Sequence, residues 1–313
     1  MKDLSRRLFL TRAMQGAALA SVSGLGASLI STPAFAAKGP AIVTTPLAPN
    51  LSLISGGGGN VVALGTKEGS LLVDGGSFEK SSDVLREASK ATGASKVKVL
   101  INTHWHPDQT GSNERIGKSG ATIIAHENTK LWLARPIKAS WLPKPFGPLP
   151  EKARPGKTTY THDSLSFAGQ DIEYGYMLQA HTDGDLYVHF KQANVLVAGG
   201  VVSGEGWPLL DWETGGWIAG LVAGYDKLLK VADANTKIVP ANGPVITKAD
   251  LEAQQKMYQT IFQRMNQLLR KGMGPEEVLA ANPTKEFDAQ WGEPTKFVTL
   301  AFKSLWGHLA PDA

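Results

Sequence analysis

The chain has 313 residues, 42% of them apolar and 19% charged, with a formal net charge of +4 and no cysteine. That composition belongs to a globular protein and excludes a disordered chain, a disulfide-stapled one and any thiolate metal site. Histidine and carboxylate are then the only strong ligands left for a transition metal. The length allows one large α/β domain with appendages, or two domains.

Residues 1–36 read as a leader. Ser5-Arg6-Arg7-Leu8-Phe9-Leu10 is followed by a mild apolar run from Ala17 to Ile30 and then by Pro33-Ala34-Phe35-Ala36-Ala37. A basic start, an apolar middle and an Ala-x-Ala end make a secretory signal with cleavage near Ala36. The paired arginines with Leu-Phe-Leu behind them resemble the twin-arginine export signal, which implies that the export machinery is a partner of the precursor and that the mature protein is periplasmic or secreted. An uncleaved anchor is the alternative, but the run is interrupted by Ser and Gly and short for a span, so no stable membrane insertion is expected. Lys2, Arg6, Arg7 and Arg12 against Asp3 supply +3 of the +4 charge, leaving +1 beyond the leader. Without it there is no basic patch, and no nucleic-acid partner is expected.

Residues 42–76 read as strands: Leu51 to Ile54, Val61 to Leu64 after the turn at Gly56–Gly59, and Ser70 to Val73 running into Asp74-Gly75-Gly76. The four glycines suit a hairpin connection better than a phosphate cradle, because no Lys-Ser/Thr or helix start follows. Glu79 to Ala91 has Val84, Leu85 and Ala88 on one face, as an amphipathic helix requires. Val97 to Ile101 is a buried strand. It leads into Asn102-Thr-His104-Trp-His106-Pro-Asp108-Gln109-Thr-Gly111. Alternation along an extended segment puts His104 and His106 on one side, where two neutral imidazoles with a carboxylate nearby can serve a catalytic zinc.

A short helix near Ser112 to Gly117 and a strand from Ala121 to Ala125 come next, the latter ending in His126-Glu127. Between Arg135 and Pro155 six prolines interleave with Trp141 and Phe146, which excludes a helix or inner strand and suggests a loop folded over a pocket. Strands resume over Asp163 to Tyr174. Tyr176 to Ala180 then leads into His181-Thr182-Asp183-Gly184-Asp185, with strands at Leu186 to Phe190 and at Asn194 to Ala198 before Gly199-Gly200. Trp217 to Val231 reads as a helix. Thr247 with Asp250 marks the start of another that runs to Arg270, with Leu251, Met257, Tyr258, Ile261, Met265 and Leu268 at core spacing. Helical segments at Pro275 to Ala281 and Thr295 to Leu309 finish the chain.

The stretch around His104 resembles the His-x-His-x-Asp-His signature of the metallo-β-lactamase superfamily, and His181 with Thr-x-Gly-Asp behind it resembles that superfamily's third metal motif. The resemblance covers roughly residues 42–246. It implies a four-layer αββα sandwich of α/β class over residues 37–246, with residues 247–313 as a C-terminal helical extension. It also implies that Asp74 braces the metal loop and that His126 is structural. His104, His106 and His181 match the complete first metal set. For a second metal only Asp108 matches, because Gln109, Gly200 and Asn242 stand where the pattern has His, a bridging Asp and His. One zinc per chain is therefore expected.

On that basis the chain reads as a zinc-dependent hydrolase of a small-molecule ester, lactone or amide, with Asp108 orienting or deprotonating water. Asp74 or Asp185 would hold a ligand imidazole, and Gln109 and Asn242 would donate to a developing oxyanion. Were two metals present, Glu205 or Asp211 would be the substitute carboxylates. Trp141 and Phe146, with Trp207, Trp212 and Trp217, suggest an apolar or aromatic substrate face. The alternative is a non-catalytic exported protein that binds a metal or ligand on the same fold.

Overall fold

Strand formation starts almost at once in the computed structural model, which describes residues 41–309; the expected leader lies outside them. Val43–Ala48 (β1), Leu51–Ser55 (β2), Val61–Thr66 (β3) and Gly69–Val73 (β4) form an antiparallel meander. Helix α1, Ser81–Thr92, then crosses to Val97–Ile101 (β5), which lies parallel to β4. Short helices Pro107–Thr110 (α2) and Asn113–Lys118 (α3) lead to Thr122–His126 (β6). Glu127–Leu133 (α4) and an irregular segment precede Lys157–Thr159 (β7). These seven strands form one sheet in chain order.

The second sheet has the order β12-β11-β10-β9-β8. His162–Phe167 (β8) and Gln170–Met177 (β9) are two arms of a hairpin, turned at Ala168 and Gly169 with φ of 49° and 78°. Asp185–Phe190 (β10) and Val195–Gly199 (β11) continue antiparallel. Helix α5, Ile218–Val231, crosses to Lys237–Pro240 (β12), which is parallel to β11. Lys248–Arg270 (α6), Pro275–Ala280 (α7), Asp288–Trp291 (α8) and Thr295–Leu309 (α9) follow. Helix α6 begins in the capping box that the Thr247 and Asp250 pair predicts.

Period-two alternation assigns each layer. Val62, Leu64, Leu71, Val73 and Ile101 of the first sheet meet Ile172, Leu186, Val188, Val195 and Val197 of the second in one core. The intervening residues Val61, Ala63, Leu72 and Leu100 face outward, under Val84 and Ala88 of α1 and Ile116 of α3. Tyr187, Leu196 and Ile238 face the opposite way, against Leu221 and Tyr225 of α5, Tyr258 and Ile261 of α6 and Val298 of α9. The result is a four-layer αββα sandwich. Both faces of the central strands are covered, which is why β3, β4 and β11 read as continuous apolar runs. Each large side chain taken fully out of water contributes about 2 kcal/mol. No helix among the described residues is long and apolar enough to cross a membrane.

The two sheets are tied together at one edge. Leu186 N donates to Thr103 O at 2.8 Å, and Asn60 N donates to Ala241 O at 2.7 Å. The loops after β5 and before β10 open there.

Candidate active site

His104 and His106 leave the end of β5, and His181 lies four residues before the start of β10, whose first residue is Asp185. The three imidazoles form a nearly equilateral triangle, with ring centroids 4.6, 4.6 and 4.7 Å apart. One nitrogen from each lies within 4.8 Å of the others, and all three side chains are buried.

Each ring has its other nitrogen occupied. Thr103 Oγ1 and His104 Nδ1 are 2.9 Å apart, and the same hydroxyl donates to Asp74 Oδ2 at 2.8 Å. A hydroxyl that gives its hydrogen to Asp74 must accept from His104, which leaves His104 Nε2 as the lone-pair nitrogen. His106 Nε2 faces Asp211 Oδ2 at 3.0 Å, which leaves Nδ1 free. His181 Nδ1 faces Asp185 Oδ1 at 3.1 Å, which leaves Nε2 free. Three oriented imidazoles, each backed by a carboxylate directly or through a hydroxyl, are the donor set of a nitrogen-ligated divalent metal, so a zinc ion fits these residues.

The backing groups are themselves held. Asp74 has φ 62° and accepts from Thr103 N at 2.8 Å. Asp185 accepts from His181 N at 2.6 Å and Thr182 N at 2.7 Å. Asp211 accepts from Thr214 Oγ1 at 2.6 Å, and Trp105 Nε1 donates to that threonine at 3.0 Å.

Burial sets the charge states. It holds His104 and His106 well below the usual 6.5, so both are neutral at neutral pH. For His181 burial acts the same way, but the charge and hydrogen bond of Asp185 outweigh it and the ring is pushed up. Burial also pushes Asp74 up to about 8, against two hydrogen bonds from Thr103. Asp108 is raised by burial too.

The triangle forms part of the floor of a cavity of about 760 Å³ that Asp108 and Asn242 also line. Trp141 and Phe146 of the proline-rich segment line it as well, and so does Trp207 on another loop. Trp212 and Trp217 do not, contrary to the expected aromatic face. Trp212 packs on the helical core and Trp217 stacks on His308 at 4.1 Å. Gln109 is fully buried, and its Nε2 donates to Asp108 Oδ2 at 3.2 Å. With its amide oriented to suit its neighbours, Asn242 donates to Ala241 O at 3.2 Å and Gly58 O at 3.1 Å. Both of its hydrogens are then used within the protein. His126 stacks on Tyr176 at 3.9 Å, away from the triangle.

Asp211 is the partner of His106 that sequence reasoning did not assign. It was legible only as a possible substitute ligand, because no spacing rule links a carboxylate in a loop to a histidine 105 positions earlier. Glu205, the other candidate substitute, is exposed at the cavity rim.

The sequence profile of the metallo-beta-lactamase superfamily matches residues 54–241. Among solved structures, the chain is similar to a metallo-beta-lactamase from Pontibacter korlensis at 21% identity and TM-score 0.55, over 70% of this chain and 99% of that one. It is similar to the inverting sec-alkylsulfatase Pisa1 from a Pseudomonas species at 16% identity and TM-score 0.65, over 84% of this chain and half of that one. It is also similar to the DIM-1 metallo-beta-lactamase at 18% identity and TM-score 0.54, over 71% of this chain and 98% of that one. No curated protein sequence matches at a significant level.

Proposed function

The chain belongs to the metallo-β-lactamase superfamily, a fold that includes hydrolases such as lactamases and alkylsulfatases, and on that premise we propose that it is a single-zinc hydrolase of an ester, lactone or amide. The observation that carries this reading is the triangle of buried imidazoles, each with one nitrogen held by a partner and one left free. His104, His106 and His181 would hold the metal. When bound, zinc supplies Lewis acidity that polarises a carbonyl and makes a water acidic near neutral pH.

The protein's own groups do the rest. Asp108 lines the cavity, and its Oδ2 is held by Gln109, so its other oxygen is placed to take a proton from water. Burial raises its proton affinity, which suits a general base. Trp141 and Phe146 keep bulk water from the floor and offer an apolar wall to the substrate. A second metal has little support. Asp108 is engaged by an amide, Gln109 is buried away from the cavity, and Gly200 offers no ligand atom. Residues 1–36 support export by the twin-arginine route to the periplasm or beyond, as the cleaved precursor segment.

The test is elemental analysis of residues 37–313 purified without added metal, followed by a panel of esters, lactones and amides. About one zinc per chain is expected, with turnover that chelation stops and zinc restores, absent in His104→Ala. Turnover that survives His104→Ala overturns the mechanism. Bound metal with no turnover of any class would favour the non-catalytic binding protein.

A further inference from the structure

Trp141 packs edge-on against His106, with centroids 4.7 Å apart, and it packs on Trp105 at 5.7 Å. Something must hold it there, because its own segment is poor in hydrogen bonds. Pro143 and Pro145 have no backbone donor. The segment closes on itself through Ile137 N to Phe146 O at 2.8 Å, Phe146 N to Ile137 O at 3.0 Å and Leu142 N to Ala139 O at 3.0 Å. Besides its packing on Trp105, the segment is held from outside by Glu213. One oxygen of that carboxylate, Oε2, accepts from both Ser140 N and Ser140 Oγ, each at 2.7 Å. Ser140 immediately precedes Trp141.

Glu213 belongs to the turn Trp212–Thr214. Asp211, just before that turn, accepts from His106, and Thr214 within it accepts from Trp105. A single short stretch therefore orients an imidazole of the triangle, fixes the indole beneath the strap and anchors the strap's tip. We propose that Glu213 is a specificity-determining positioning residue: by holding Ser140 it fixes the gap between Trp141 and His106, and so the width of apolar group that the cavity accepts. The proposal rests on the hydrolase reading for its substrates, but not for its geometry.

Two charge-assisted bonds converging on one oxygen make the anchor sensitive to removal and tolerant of a conservative change. Glu213→Ala removes the acceptor. Glu213→Gln keeps a carbonyl oxygen that can accept the same two bonds. Ser140→Ala removes one of the two donors.

The experiment uses 2-naphthol as a non-hydrolysable apolar probe, titrated into the zinc-loaded mature protein, with hydrogen exchange followed over residues 138–146. Glu213→Ala is expected to raise the Kd about tenfold and to speed exchange across the strap, with zinc content unchanged. Glu213→Gln should restore both to within about twofold, and Ser140→Ala should add nothing to Glu213→Ala. The preference for 2-naphthyl acetate over methyl acetate should fall in step with the probe's affinity. If the wild type turns over no ester, lactone or amide, the hydrolase reading fails, and the probe and exchange data alone decide the proposal. An unchanged Kd in Glu213→Ala overturns it, whether or not exchange rises. Loss of zinc in that variant also overturns it, because the turn would then be a general support of the site.

Discussion

A Cβ on Gly200 would stand 2.5 Å from Nδ1 and 2.7 Å from Nε2 of His181, so the imidazole fills the space that a side chain at position 200 would need. The superfamily pattern places a bridging aspartate at this position. Here that carboxylate and the third imidazole, as it stands, exclude one another.

Gly200→Asp is therefore expected to weaken zinc binding at the histidine triangle instead of completing a second site. Elemental analysis should find less than one zinc per chain in the folded variant. Two zinc ions per chain would show that His181 can move aside.

Asp211→Ala removes the acceptor that keeps His106 Nε2 protonated and Nδ1 free. Loss of such a partner typically costs 10–100-fold in metal affinity. Zinc competition against a chromophoric chelator should show a fall in that range, with Asp211→Asn between the two. Wild-type affinity in a folded Asp211→Ala protein would mean that Trp141 and Trp105 alone hold the ring.

Zinc should stabilise the folded protein, because the triangle exists only when β5 and the loop before β10 are in place. At a free concentration 100 times its Kd, the gain is about 2.7 kcal/mol. Thermal unfolding with and without chelator should show the difference, and His106→Ala should erase it.

Asp163 joins the sheets: Lys157 Nζ of β7 lies 2.8 Å from it, and Tyr174 Oη donates to it at 3.0 Å. The Lys157 hydrogen bond, helped by Ser164 N, holds its carboxyl down from 3.8 to about 2. A folded value below the unfolded one gives stability that is present above 3.8 and lost as pH falls through about 2. The pair is largely exposed, so Asp163→Asn should cost only about 0.5 kcal/mol at neutral pH. Denaturant titrations should show that gap closing between about pH 4 and pH 2.

Trp207 stacks on Phe297 at 4.9 Å and packs on Trp291 at 5.6 Å, while its Nε1 donates to Gly292 O at 3.0 Å. Trp291→Ala should cost about 2 kcal/mol, below the 3–5 of a fully buried aromatic. It should also weaken binding of apolar ligands while leaving zinc content unchanged. Urea unfolding and ligand titration of the same preparation would separate the two effects.

The sandwich was legible because its signals are local. Alternation in β8 and β9, the apolar runs of β3, β4 and β11 and the Thr247 cap each act within a few residues. The histidine triangle was legible because His104 and His106 share a strand end and His181 sits in a recognisable turn. What the sequence did not reveal is long-range. Asp211 reaches His106 across 105 positions, and Glu213 reaches Ser140 across 73. Gln109 and Asn242 stand at equivalent-looking substitutions, yet one is sealed in the protein and the other lines the cavity. Trp207, Trp212 and Trp217 look alike as apolar aromatics in the sequence, and only long-range packing puts the first on the cavity and stacks the last on His308.

The superfamily match ends at residue 241, whereas the groups that buttress Trp207 lie at 291–297. The part of the cavity wall that Trp207 forms is thus supported from outside the stretch that carries the histidines, and the two can change independently. Grafting the histidine loops onto another member of the fold would transfer the three imidazoles without this wall. Drift in the last fifty residues could reshape that wall while all three imidazoles stay in place.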